Sequence, residues 1–389
     1  MKRRIVGFGA GQPPTAVRIS SLAHDIVRAT RATVAVLAAF AMAPPALAAE
    51  PPTVGEPGVV VTFDRSAGRL PDGLAVDRVG NTYVGLVSPF RFPQSRSGEV
   101  WRFDPDGNPV ERWALGTGAT PAGVVVDRHG TVFVTVAHPA QESSGIHRLR
   151  SGGGHERLPG SERMFEPKGL TVDWSGTLYA TDSARGQVWR VDGADDRAEL
   201  WLSHPLLQGC GRGGASGLVV RGGALFVANP DRGLVVRVDL GVDGSAREPR
   251  IVAGDVDCEI SDVLWGVDDL AFDVRRDLYA TLASQNRLVR IDREGSVEVV
   301  LTAADGLWHP TSLAFGTRDR RMLFIANSAR RGPEPADSVG PAIIETGVGT
   351  RGQMVPCRCP APVTHSSCPL DVDVGGLGEH AGAEPEWRA

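Results

Sequence analysis

Two stretches alternate strictly between apolar and polar positions, Val100-Trp101-Arg102-Phe103-Asp104 and Val188-Trp189-Arg190-Val191-Asp192. A period of two is the pattern of a half-buried β-strand. Each follows an Asp-x-x-Gly turn and a strand carrying an aromatic, and before these lies a run of small and apolar residues. That order recurs. Asp72-Gly73-Leu74-Ala75-Val76-Asp77, Ala122-Gly123-Val124-Val125-Val126-Asp127 and Lys168-Gly169-Leu170-Thr171-Val172-Asp173 are copies of one another. Ser216-Gly217-Leu218-Val219-Val220, Asp268-Asp269-Leu270-Ala271-Phe272-Asp273 and Thr311-Ser312-Leu313-Ala314-Phe315 continue the series. The second residues fall at 73, 123, 169, 217, 269 and 312, in steps of 50, 46, 48, 52 and 43. Steps of roughly forty to fifty residues are the period of propeller blades. Small residues suit an innermost strand crowded round a channel, and a more polar outer strand such as Val110 to Leu115 completes each sheet. The sixth unit offers only Met322 to Ala326 and Ala342-Ile343-Ile344-Glu345-Thr346 after its inner strand. Val59-Val60-Val61-Thr62-Phe63 has no blade of its own. The pattern therefore predicts an all-β, six-bladed β-propeller over residues 58–352, closed by an N-terminal strand that completes the last blade.

Composition agrees with this. The 48 glycines and 28 prolines, about a fifth of the 389 residues, are too much turn punctuation for a helical bundle. A net charge of −5 excludes the basic footprint of a nucleic-acid binder. Only Lys2 and Lys168 are lysines. So complete a preference for arginine reflects a GC-rich genome, and arginine counts carry little functional meaning here.

The ends differ from the middle. Arg28 and Arg31 precede an apolar run from Thr33 to Met42, followed by Pro44-Pro45-Ala46-Leu47-Ala48-Ala49. This is the layout of a secretory signal, with cleavage expected near Ala48, and the run is too short to span a bilayer. Residues 1–49 are read as signal plus a long lead, and 353–389 as a disordered tail rich in Cys, Pro and Gly. An exported protein without integral membrane association is expected, and a monomeric one. Export permits disulfides. Cys210 and Cys258 lie in the links that enter and leave the fourth blade, almost one repeat apart, and are expected to pair.

At these residues the chain resembles the gluconolactonase, regucalcin and luciferin-regenerating-enzyme family of six-bladed propellers. The link Leu200-Trp201-Leu202-Ser203-His204-Pro205-Leu206-Leu207, with Ala303-Ala304-Asp305-Gly306-Leu307 and Gly340-Pro341-Ala342-Ile343-Ile344, is similar to its secreted bacterial members. The resemblance implies a divalent cation (calcium, zinc or manganese) at the top of the channel, held by an acidic residue, two asparagines and an aspartate. These positions fall on Asp72, Lys168, Ser216 and Asp268. Both asparagines are thus replaced, leaving Asp72, Ser216 and Asp268 as metal ligands, while the Lys168 ammonium, all donor, can pair with either carboxylate.

Other candidates belong to the same rim. Residues after each second strand point to the top: His138, Asp182, Asn229, Ser284 and Asn327. Lys168, Asn229 and Asn327 are expected to bind substrate. Asp268 is expected to orient or deprotonate water, and His309 to act as general acid or base near neutral pH. Asp255, Asp257, Glu259 and Asp262 make an acidic link. No Gly-x-Ser-x-Gly elbow and no His-x-x-x-His pair occurs. The leading expectation is a lactonase-like hydrolase acting on a small lactone or ester. Its rivals are a non-catalytic ligand-binding propeller and a protein-interaction propeller using side loops such as Pro89 to Ser97.

Overall fold

Six sheets of four strands carry the six sequence repeats in a computed structural model of the chain. It describes residues 54–87, 97–140, 143–193, 195–254, 263–316, 320–331 and 334–353. The expected signal segment, the side loop before Ser97, the acidic link 255–262 and residues 354–389 lie outside these.

Five sheets run in chain order from the inner strand outwards. The sixth consists of Pro310–Gly316, Met322–Asn327, Ala342–Gly347 and then Gly58–Thr62. Val59 faces Ile344 and Thr62 faces Ala342 in the antiparallel closing pair. The inner strands are Leu70–Val76, Thr120–Val126, Pro167–Val172, Leu218–Arg221, Val267–Phe272 and Pro310–Gly316. Each packs against the next, and the sixth against the first, so the ring is closed. Among the described residues no helix is long and apolar enough to cross a membrane.

Backbone packs on backbone at the ring's centre, which is why glycine fills the second position of four repeats. A Cβ on Gly169 would run into the carbonyl oxygen of Ser216, and one on Gly217 into Asp268 and Asp269. Blades five and six carry Asp269 and Ser312 there instead, and these two bond to each other, Ser312 Oγ donating to Asp269 Oδ2 at 2.5 Å.

Threonines of the second strands latch neighbouring blades together. Thr135 Oγ1 accepts from Gly123 N and donates to the Lys168 carbonyl; Thr181 Oγ1 accepts from Gly169 N and donates to the Ser216 carbonyl. Between blades lie apolar layers, such as the edge-on Phe226–Phe272 pair at 4.8 Å between blades four and five. Each such side chain contributes roughly 1.5–3 kcal/mol by leaving water.

The channel, a cavity of ≈ 180 Å³, is lined by the inner strands and, at the end away from the strands' starts, by Gln353. Gln353 N donates to the Phe272 carbonyl, its Nε2 to the Val220 carbonyl, and its Oε1 accepts from Arg221. The propeller thus includes Gln353, which composition assigns to the tail.

Candidate functional site

Three of the four carried-over positions sit where an inner strand breaks register. The ladders of blades one, three and five shift between Pro71 and Leu74, Pro167 and Leu170, and Val267 and Leu270. Such irregularities re-aim side chains. Here Asp72, Lys168 and Asp268 line a second cavity of ≈ 200 Å³ at the channel's mouth, with Ser216, His309, Arg330, Arg331 and Arg212.

Asp72 is 3% exposed and holds two cations. Lys168 Nζ lies 3.4 and 3.5 Å from its carboxylate oxygens, and Arg330 Nη1 3.4 Å from one of them. Burial pushes the Asp72 carboxyl up, but Lys168 and then Arg330 outweigh it and hold it below the usual carboxylate range. For Lys168 burial works downward, while Asp72 and Asp268 raise it above the ordinary lysine value. Across the mouth, Ser216 Oγ donates to Asp268 Oδ1 at 2.5 Å. Deeper in the channel, burial pushes Asp269 up to about 6 against the stabilising bonds from Ser312 and Leu270 N.

His309 departs from its expected role. Its backbone is left-handed, φ 54°, fixed by its N–H donating to Asn286 Oδ1 at 2.9 Å. A non-glycine residue so held is a local strain of order 1 kcal/mol or more. Burial first, and Arg330 next, push its imidazole down to about 3. The ring is therefore neutral through pH 5–8, which corrects the expectation of a group titrating near neutrality. Its Nδ1 is buried without a hydrogen-bond partner among the described residues.

Asn229 and Asn327 do not join this group. Both are fully buried. Asn229 Nδ2 donates to the carbonyls of Leu206 and Gln208, and Asn327 Oδ1 accepts from Trp308 N while its Nδ2 donates to the Gly340 carbonyl. These amides are spent on loop backbone, so the expected substrate contacts are loop anchors instead. Asp182 likewise accepts from Phe165 N and Glu166 N just ahead of Lys168, and His138 is tied to loop backbone, Nε2 donating to the Thr117 carbonyl and Nδ1 accepting from Ala140 N. Ser284 does line the mouth. Cys210 is disulfide-bonded; Cys258 and the three later cysteines lie outside the described residues.

A divalent cation needs several oxygens converging on one point. Here an ammonium already stands against Asp72, and Asp268 is engaged by Ser216. Among the described residues no group of three or more His, Cys, Asp or Glu could hold a metal ion. The side chains at Asp72, Lys168, Ser216 and Asp268 as arranged fit an ammonium and a guanidinium, not a divalent cation. The missing member of the expected set was Arg330. It follows the second strand of blade six, where the rim positions lie, but the general excess of arginine hid it.

The sequence profile of the SMP-30/Gluconolactonase/LRE-like region matches residues 40–138, which reach through the first blade into the second. No curated protein matches the chain in sequence. Among solved structures, the calcium-binding protein regucalcin from Agrobacterium tumefaciens is similar at 11% identity and a TM-score of 0.58, over 77% of this chain and 96% of that one. A luciferin-regenerating enzyme is similar at 14% identity and 0.55, over 79% and 100%. An auxiliary nutrient binding protein from Bacteroides thetaiotaomicron is similar at 13% and 0.54, over 76% of each chain. At such identities the likeness establishes the six-bladed fold, which hosts enzymes and binding proteins alike.

Proposed function

We propose that this propeller takes a small oxygen-rich molecule into its mouth without a divalent cation, in the manner of a ligand-binding relative of the lactonase type. The observation that carries this is the pair of cations, Lys168 and Arg330, both within 3.5 Å of the buried Asp72. They supply as fixed side chains the positive charge that the family resemblance assigns to a metal. Calorimetry with Ca²⁺, Zn²⁺ and Mn²⁺ tests the reading: weak or no binding is expected, and tight stoichiometric binding of any of the three would sink it.

A second reading, lactone hydrolysis, is favoured by one feature: Asp268 faces the same cavity as the Lys168 ammonium. A carbonyl oxygen against the ammonium would be polarised while Asp268 takes a proton from attacking water. The water oxygen bonds to the carbonyl carbon, the ring C–O bond breaks, and the proton passes to the departing alkoxide. Hydrolysis of aldonolactones that persists in EDTA and falls at least a hundredfold in Asp268→Asn is the expected result; activity that EDTA abolishes would contradict it. The proposal includes export of a monomeric protein, checked by sequencing the mature N-terminus, expected near Ala49, and by size-exclusion chromatography.

A further inference from the structure

We infer that blade two carries a copper(II) site, formed by Nδ1 of His147 and Nδ1 of His155 with water in the remaining positions. The inference goes beyond the reading above and does not depend on it, since neither histidine lines the mouth.

The pair is a product of strand register. His147 belongs to the third strand of the blade, Gly145–Leu149, and His155 to its outermost strand, His155–Arg157. The antiparallel ladder sets His147 opposite Arg157 and Leu149 opposite His155. Residues two apart on one strand share a face. The two histidines are therefore diagonal neighbours on one side of the sheet, within the reach of aromatic side chains. Their ring centroids lie 5.2 Å apart and their Nδ1 atoms 3.1 Å.

That last distance serves an ion as well as a hydrogen bond. Two nitrogens bound to one ion at about 2.0 Å, at an angle between about 90° and 109°, stand roughly 2.8–3.3 Å apart. Nε2 of His147 is buried, so the nitrogen that this ring offers is Nδ1, and it faces His155. His155 is itself only half-buried, on a three-residue strand at the sheet's edge, where water completes a coordination shell. Ligation replaces the Nδ1–H···Nδ1 hydrogen bond. The donating ring moves its hydrogen from Nδ1 to Nε2, both imidazoles stay neutral, and no proton is released.

Ligand type and number select the ion. Hard cations such as calcium and manganese prefer oxygen, whereas imidazole suits copper, nickel and zinc. Two nitrogens near a right angle, with open positions beside them, suit tetragonal Cu²⁺, and the general order of divalent affinities places copper highest. Zinc on two protein ligands stays weak, in keeping with the calorimetric outcome expected above.

The test is calorimetry with Cu²⁺ at pH 7, in glycine as competing chelator, on protein without a histidine tag, and electron paramagnetic resonance of the copper-loaded sample. One equivalent should bind at least tenfold more tightly than Ni²⁺ or Zn²⁺, with splitting from two imidazole nitrogens. His155→Gln, at a half-buried position, should lose that splitting and at least tenfold in copper affinity, while its melting temperature in EDTA stays close to that of the natural protein. His147→Gln should show the same loss of copper. Copper bound equally by His155→Gln, a resonance without two imidazole nitrogens, or no copper binding in competition with glycine overturns the inference.

Discussion

Asp72, 3% exposed, is the hinge of the site's electrostatics. Removing one partner of a buried charge set leaves the others uncompensated, typically at 3–5 kcal/mol. Lys168 keeps 24% of its side chain exposed, so the low end applies. Asp72→Asn should therefore lower stability by about 3 kcal/mol in denaturant titrations, and a loss under 1 kcal/mol would mean that Lys168 and Arg330 do not depend on it. Histidine supplies a pH test. His147 lies in blade two with its Nδ1 3.1 Å from that of His155, and burial followed by His155 pushes it down to about 4. The unfolded chain titrates near 6.5, so as pH falls below about 6.5 it binds protons that the folded chain refuses. The stability owed to neutral His147 is full above that pH and is lost progressively towards 4, about 2 kcal/mol of it by pH 5. His309, at about 3, acts in the same sense. Asp269, raised to about 6, acts in the opposite one. The informative quantity is thus a difference: the fall in melting temperature from pH 7 to pH 5 should be smaller in His147→Gln than in the natural protein, and equal falls would refute the assignment.

The inner strands show why repeats of one sequence unit make a ring. Gly169 has no room for a Cβ beside the Ser216 carbonyl, whereas a Cβ on Gly58 of the closing strand would meet only the Glu345 side chain, at 3.8 Å. Gly169→Ala must push adjacent blades apart and should cost about 3 kcal/mol; Gly58→Ala should stay within about 0.5 kcal/mol. Similar melting curves for the two variants would show that the ring tolerates expansion. The same strands explain why some of the site was readable and some was not. Asp72, Lys168, Ser216 and Asp268 could be placed because each occupies a fixed offset from a repeated motif, and repeat phase is a property of the chain itself. The Asp269–Ser312 bond was not legible. Both residues merely look like lapses from the glycine rule, and their pairing depends on blades five and six lying side by side.

At the scale of the molecule, closure joins residues that sequence keeps far apart. Gly58–Thr62 completes the blade begun by Pro310–Gly316. Cys210 is disulfide-bonded, and we propose Cys258 as its partner, a bond across the fourth blade. Closing a 48-residue loop is worth roughly 4 kcal/mol in the chain-entropy model. Non-reducing peptide mapping should recover a Cys210–Cys258 peptide; a bond from Cys210 to Cys357, Cys359 or Cys368 would disprove it. What the sequence determined alone is the six-bladed ring, its N-terminal closure, and which residues stand at the starts of the inner strands. Those follow from period, alternation and turn chemistry, which are local. Only the tertiary structure decided that Arg330, 258 residues from Asp72, shares its carboxylate with Lys168. It likewise decided that His309 is neutral and that Asn229 and Asn327 hold loops. Charge compensation, desolvation and hydrogen-bond satisfaction depend on which groups closure of the ring brings together and removes from water, and no stretch of chain carries that information by itself.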